Sequence, residues 1–197
     1  MTRFVEEAIV RGGLGPVLAA RRAGDMNAVR ESAPSWEKAD LLVLGAVADA
    51  ARAEDVGINV RIHESGTARD HARDVIWVDL PVGTSELDVL RAVAVARILG
   101  GKGARIGIDW SRYGLELAQV ALGFGASDLR GVMARKSGLP ILEDEKKKLK
   151  GQGMVDLRSI KRREIAALVT HAGREPELVD DRESVARTPA VEETTHA

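Results

Sequence analysis

Three aspartates stand where a parallel α/β sheet would place chemistry. Asp79 follows Val75-Ile76-Trp77-Val78, Asp109 follows Arg105-Ile106-Gly107-Ile108, and Asp128 lies near a last short extended stretch. In such sheets functional groups collect at the carboxyl ends of the strands. Carboxylates sharing a cleft there could bind a metal, a ribose or a cationic substrate. Asp79 and Asp109 equally suit turns in which the side chain caps the following helix, and the sequence leaves both roles open. The histidines are His63, His71, His171 and His196. None pairs at the i, i+4 spacing of helical ligands, so no metal site is expected. Gly12-Gly13-Leu14-Gly15 has no strand before it. Gly100-Gly101-Lys102-Gly103 follows a helix, the reverse of a phosphate-cradling loop, so both read as helix stops. Ser111 and Ser127 sit in no nucleophile elbow and read as caps or turns. Lys146, Lys147, Lys148 and Lys150 form a basic run among acids, a solvated face or a docking surface for an acidic partner.

Composition narrows the classes. The chain has 197 residues, 29 basic against 30 acidic, and no cysteine. That length suits one domain with a sizeable core. The near-neutral balance argues against a nucleic-acid partner, and an aromatic content of 3% argues against stacking platforms for single strands. Without cysteine there are no disulfides, no thiolate metal site and no thiolate-held iron–sulfur cluster. The first residues lack the basic-then-apolar design of a signal peptide, and no apolar run approaches the roughly 18 residues of a membrane span. The expectation is a cytoplasmic protein with no membrane partner.

The elements that must position these residues follow from periodicity. Helices are expected from Arg3 to Arg11 and from about Pro16 to Ala23. After Pro34 a longer helix is expected with Ser35 as N-cap, its Leu41, Leu44, Ala48 and Ala51 forming a stripe that Leu42 and Gly45 widen. Ile58 to Ile62 alternates like a half-exposed strand, while His63 to Asp74 reads as a loop or short exposed helix. Val75 to Val78 reads as a buried strand. Thr84-Ser85-Glu86 opens a helix with Leu87, Leu90, Ala94 and Ile98 on one face, ending at Gly100-Gly101. Ala104 to Ile108 is a strand, Ser111 starts a helix through Leu115, Ala118 and Leu122, and Asp128 to Met133 is extended. Asp156 is expected to cap a last helix through Ala172, with Ile165, Leu168 and Val169 inward. The strand–helix alternation implies parallel pairing. A complete eight-stranded barrel takes about 250 residues. The expected fold is therefore α/β: a partial (β/α) barrel or a small open, mostly parallel sheet, with N-terminal helices and a C-terminal helix. Residues 1–180 would form one domain, 1–53 its helical part and 54–180 the partial barrel. Residues 181–197 would be a disordered acidic tail.

Four segments together resemble one subfamily of radical S-adenosylmethionine (SAM) enzymes: aminofutalosine synthase, cyclic dehypoxanthine futalosine synthase and the deazaflavin-cofactor synthases. Trp36 to Arg52 resembles the helix that precedes their barrel, and Leu87 to Leu99 their late helix with an Ala-x-x-Arg pattern, here Ala94 and Arg97. Leu115 to Met133 is the strongest match, through Ala118-Gln119, Leu122, Phe124-Gly125-Ala126, Asp128-Leu129 and Gly131. Ile165 to Pro176 is similar to their terminal Ala-Gly-Arg-x-Pro, through Ala172-Gly173-Arg174 and Pro176. The family's three-cysteine loop, which holds the SAM-cleaving cluster, has no counterpart. The chain runs from Ile62 to Val75 as though the early barrel strands had been deleted. Radical chemistry by this polypeptide alone is excluded, because the cluster needs thiolates.

The resemblance implies a TIM-barrel-like pseudoenzyme without catalytic residues, cluster or SAM. It would be an accessory or self-associating subunit, paired with itself or with a full-length radical SAM enzyme. The pathway would be menaquinone synthesis through futalosine, or deazaflavin cofactor synthesis. It also places Asp128, and with it Asp109 and Asp79, at the rim of a ligand cavity. Arg130 stands where the family has a small residue, so that it changes or blocks the pocket. The alternative is a protein that binds a nucleoside-type small molecule, or a non-radical enzyme, using that aspartate rim.

Overall fold

The computed structural model describes residues 2–65, 74–133 and 160–179. The first helices, α1 (Arg3–Arg11) and α2 (Gly15–Ala23), end where glycines stop them. A short helix, α3 (Met26–Glu31), follows in a stretch too brief for periodicity to announce; the Asp25 carboxylate caps it, accepting from the Ala28 N–H at 3.0 Å. Ser35 does not cap the long helix. It lies within a single turn, α4 (Ala33–Trp36), and its hydroxyl donates back to the Ser32 carbonyl at 2.6 Å. The long helix, α5 (Leu41–Val56), starts after Asp40, whose carboxylate accepts from the N–H groups of Leu42 and Val43 at 3.0 and 3.1 Å. Leu44, Ala48 and Ala51 are buried as the stripe requires, but Leu42 points outward.

The first strand, β1 (Asn59–Glu64), runs two residues further than its apolar alternation, taking in His63 and Glu64. Residues 66–73 of the expected loop lie outside the described residues. The next strand, β2 (Val75–Trp77), is an edge strand rather than a buried one, and Ile76 keeps 47% of its surface exposed. Ser85 caps α6 (Glu86–Leu99), accepting from the Asp88 N–H at 3.2 Å; Leu90, Val93, Ala94 and Ile98 are buried while Leu87 is exposed. After β3 (Arg105–Asp109) the expected single helix breaks at Gly114 into α7 (Trp110–Tyr113) and α8 (Leu115–Ala121), the second continuing as a 3-10 turn through Phe124. Gly114 has φ +90°, a conformation glycine adopts without steric cost. The chain then forms β4 (Asp128–Gly131), α9 (Arg162–His171) and β5 (Glu175–Leu178). Asp156, the lysine run and the 181–197 tail lie outside the described residues. So α9 starts, as described, at Arg162, its first turn closed by the Glu164 carboxylate accepting from the Lys161 N–H at 3.2 Å.

The strands build one open sheet, ordered β2-β3-β4-β1-β5, and every pairing is parallel. The expected α/β class with an open parallel sheet is what the chain adopts. β1 lies between β4 and β5, so the first strand is an interior strand and β4 is the central one. β5 carries Pro176 opposite Val60 and is exposed at all four positions. Proline removes a ladder donor, which suits it to an edge.

Side chains alternate across a strand, and this splits the sheet sharply. Val60 and Ile62, Ile106 and Ile108, and Leu129 join the buried side chains of α5, α6, α8 and α9 in one core. Val75 and Trp77, of the other parity, stay outside that core. Fully parallel sheets ordinarily carry apolar residues on both faces. Here one face is apolar and the other charged.

Candidate functional site

The charged face is organised in register. Arg61 on β1, Asp128 on β4 and Gly107 on β3 are lateral partners, and Trp77 on β2 partners Gly107. Two residues further toward the carboxyl ends come His63, Arg130 and Asp109. Arg105 lies two residues toward the amino ends, on the same face as Gly107. The signal for this face is present in the sequence: Arg61 and His63, and Asp128 and Arg130, lie two residues apart, and Arg105 and Asp109 four apart with Gly107 between, so each set falls on one face of an interior parallel strand.

Asp128 is the hub. Its side chain is 0% exposed, and it is the first residue of β4 rather than a residue at that strand's carboxyl end. Arg61 Nε donates to Oδ1 at 2.8 Å, Arg105 Nε to Oδ2 at 2.7 Å, and the Ser127 hydroxyl to Oδ2 at 2.9 Å. His63 Nε2 lies 2.8 Å from Oδ1. Burial pushes the carboxyl group up. The His63 hydrogen bond and the Arg105 and Arg61 charges outweigh that and hold Asp128 below the usual carboxylate range. The Arg61 guanidinium, also partnered by Asp74 at 2.9 Å, is disfavoured as a cation by burial. The two carboxylates more than compensate, so its pKa is raised. Because an ionised carboxylate only accepts, the Nε2–H of His63 is the donor in this contact. Nδ1 is left facing away from Asp128.

A second group assembles beside the hub. The Trp77 indole lies flat on Gly107, where a Cβ would come within 2.3 Å of the ring. The Arg130 guanidinium sits over the indole with Cζ 4.5 Å from the ring centroid, and the His63 ring meets the indole edge-on at 5.4 Å between centroids. Arg130 Nε donates to Asp109 Oδ2 at 3.0 Å, while Asp109 Oδ1 accepts from the Ser111 N–H at 2.8 Å. Asp109 therefore caps α7 with one oxygen, as one of its two expected roles requires, and braces Arg130 with the other.

Behind the hub, α6 sends in Arg97, fully buried. Its Nε donates to the Gly125 carbonyl at 2.8 Å and its Nη2 to the Ser127 hydroxyl at 2.9 Å; it also bonds the Ala104 carbonyl. Asp55 lies 3.8 Å from its Nη1. Burial pulls the Arg97 pKa down to about 10, against the opposing pull of Asp55. At neutral pH it remains a cation. Gly125, at φ +96°, leaves no room for a Cβ against the Arg97 stem. One guanidinium thus holds the turn that launches β4, through the Gly125 carbonyl and the Ser127 hydroxyl.

Of the candidate residues, the structure brings together Asp109, Asp128 and Arg130. Asp79 stands apart, exposed after β2 and paired with Arg112; Ser85, not Asp79, caps α6. Lys146, Lys147, Lys148 and Lys150 lie outside the described residues. Arg61, His63, Arg105 and Trp77 enter the site although the three-aspartate pattern does not pick them out. Among the described residues, no group of three or more His, Asp or Glu is placed to hold a metal ion, and no helix is long and apolar enough to cross a membrane. No protein-family model matches this chain, and no curated protein matches it.

Proposed function

We propose that this chain is a binding protein for a nucleoside-type small molecule, seated on the charged face of the sheet near its carboxyl ends. The observation that carries the reading is the polar face itself. A half-barrel that docked through its open side would need an apolar surface there, because hydrophobic burial drives most association. This face instead carries arginines, aspartates and a histidine braced by one another, with Trp77 among them. Such groups are costly to bury against a protein unless each is matched, whereas a polar ligand can exchange hydrogen bonds with them.

In keeping with the resemblance, the protein would be a cytoplasmic, radical-SAM-like pseudoenzyme without cluster or SAM. It would hold a ligand of the futalosine or deazaflavin pathways rather than transform it. Differential scanning fluorimetry against a panel of nucleosides and nucleotides tests this. A ligand at 100 times its Kd should raise stability by about 2.7 kcal/mol. His63→Gln should reduce the shift measured from that variant's own ligand-free melting temperature. If calorimetry and melting both show no binding across the panel, the reading fails.

A second reading, a self-associating or accessory subunit, is favoured by the sheet edges. Ile76 on β2 and Leu178 on β5 are exposed apolar side chains at opposite edges, and unpaired edges invite further strands. A second copy or a full-length radical SAM enzyme would then be the partner.

A further inference from the structure

We infer that Arg130 is an oxyanion anchor, so that the ligand of this face carries a carboxylate or phosphate group; the inference rests on the ligand-binding reading above. Four observations converge on it. First, the arginines of this face differ in what they have left to offer. Arg61 spends Nε on Asp128 and Nη2 on Asp74, and Arg105 spends Nε on Asp128 and Nη2 on the Ser127 carbonyl. Arg130 uses only Nε, on Asp109, and among the described residues its Nη1 and Nη2 have no hydrogen-bond partner. Second, this guanidinium is held rigid, stacked on Trp77 at 4.5 Å and braced through Nε. A fork fixed in advance loses little freedom when it binds, and its planar pair of N–H groups matches the two oxygens of a carboxylate or phosphate.

Third, Arg130 is reachable, its side chain 23% exposed, and stands in the row nearest the carboxyl ends, between His63 and Asp109. Fourth, the bracing carboxylate sits on the Nε side, so an anion meets the guanidinium at its far end, away from Asp109. His63 flanks that approach as the lateral partner of Arg130.

The test uses the full chain, labelled with nitrogen-15, in a buffer free of phosphate and at constant ionic strength set with chloride. Inorganic phosphate, acetate and inosine are titrated separately, following the Trp77 indole N–H and the backbone amides of Arg130 and Gly131. The inference expects saturable shifts with phosphate, acetate or both. Preference for phosphate would mark a phosphoryl-bearing ligand, and preference for acetate a carboxylate. Arg130→Gln should weaken anion binding about tenfold or more, as expected for loss of a bidentate charged pair. Arg130→Lys, which keeps the charge but not the fork, should lie between. Both variants should melt like the parent chain.

Silence toward both anions, or undiminished affinity in Arg130→Gln, overturns the inference. If inosine shifts these signals and the anions do not, the anchor is wrong while the ligand-binding reading stands. If all three probes are silent and the nucleotide panel also fails, both fall.

Discussion

Asp128 shows how a carboxylate can be buried and still ionised: two guanidiniums, an imidazole and a hydroxyl meet its two oxygens at 2.7–2.9 Å. Its role is therefore structural before it is anything else, and removing its charge would leave Arg61 and Arg105 facing a neutral group. Asp128→Asn should cost about 3 kcal/mol at pH 7, as breaking a buried pair does. The sign of the pH dependence follows from the direction of its shift. A carboxyl whose folded pKa is depressed contributes stability above its unfolded value, near 3.9, and that stability is lost as pH falls through the folded pKa. The gap between parent and Asp128→Asn should thus be flat above about pH 5 and narrow steadily in more acid solution. Urea unfolding at stepped pH measures it; a gap independent of pH would mean that shape, not charge, is what Asn fails to replace. For the same reason Asp128→Ala would be a poor probe of ligand binding. His63 and Arg130 can be changed without emptying the hub.

The elements that carry the site are β1, β3 and β4, whose alternate residues face opposite ways, and their usefulness depends on one absent side chain. Gly107 lets Trp77 cross β3 and reach both Arg130 and His63. Gly107→Ala would put a Cβ within 2.3 Å of the indole. The predicted consequence is an overpacking cost of about 1–3 kcal/mol with a displaced indole, read as a lower melting temperature and an altered near-ultraviolet circular dichroism band. Ligand affinity should fall with it, because Arg130 loses the surface on which it is stacked. Among elements, those with strong local signals were legible from sequence. The α6 cap at Ser85 and the alternation of Ile58 to Ile62 depend on neighbours in the chain. α3 was not legible, being six residues long. β5 was hidden because Glu175-Pro176-Glu177-Leu178 has the composition of a terminus and becomes a strand only through pairing with β1.

For the molecule as a whole, the open question is how its sheet edges behave. If Ile76 and Leu178 seat a second copy, light scattering at micromolar concentration should give the dimer mass, and Ile76→Lys should return the monomer, as charged edge residues do elsewhere. A parent chain that stays monomeric would remove a second copy as the occupant of these edges. Composition, helix stops and strand alternation were enough to establish an α/β chain without thiolate chemistry, because each depends on residue type or on residues a few places apart. The insertion of β1 between β4 and β5 was beyond that reach, as was the gathering of Arg61, His63 and Arg105 around Asp128 across 67, 65 and 23 residues of chain. Those contacts depend on strand order and register. Both follow from burying one apolar face of the whole sheet against α5, α6, α8 and α9, a requirement that no local stretch of sequence expresses.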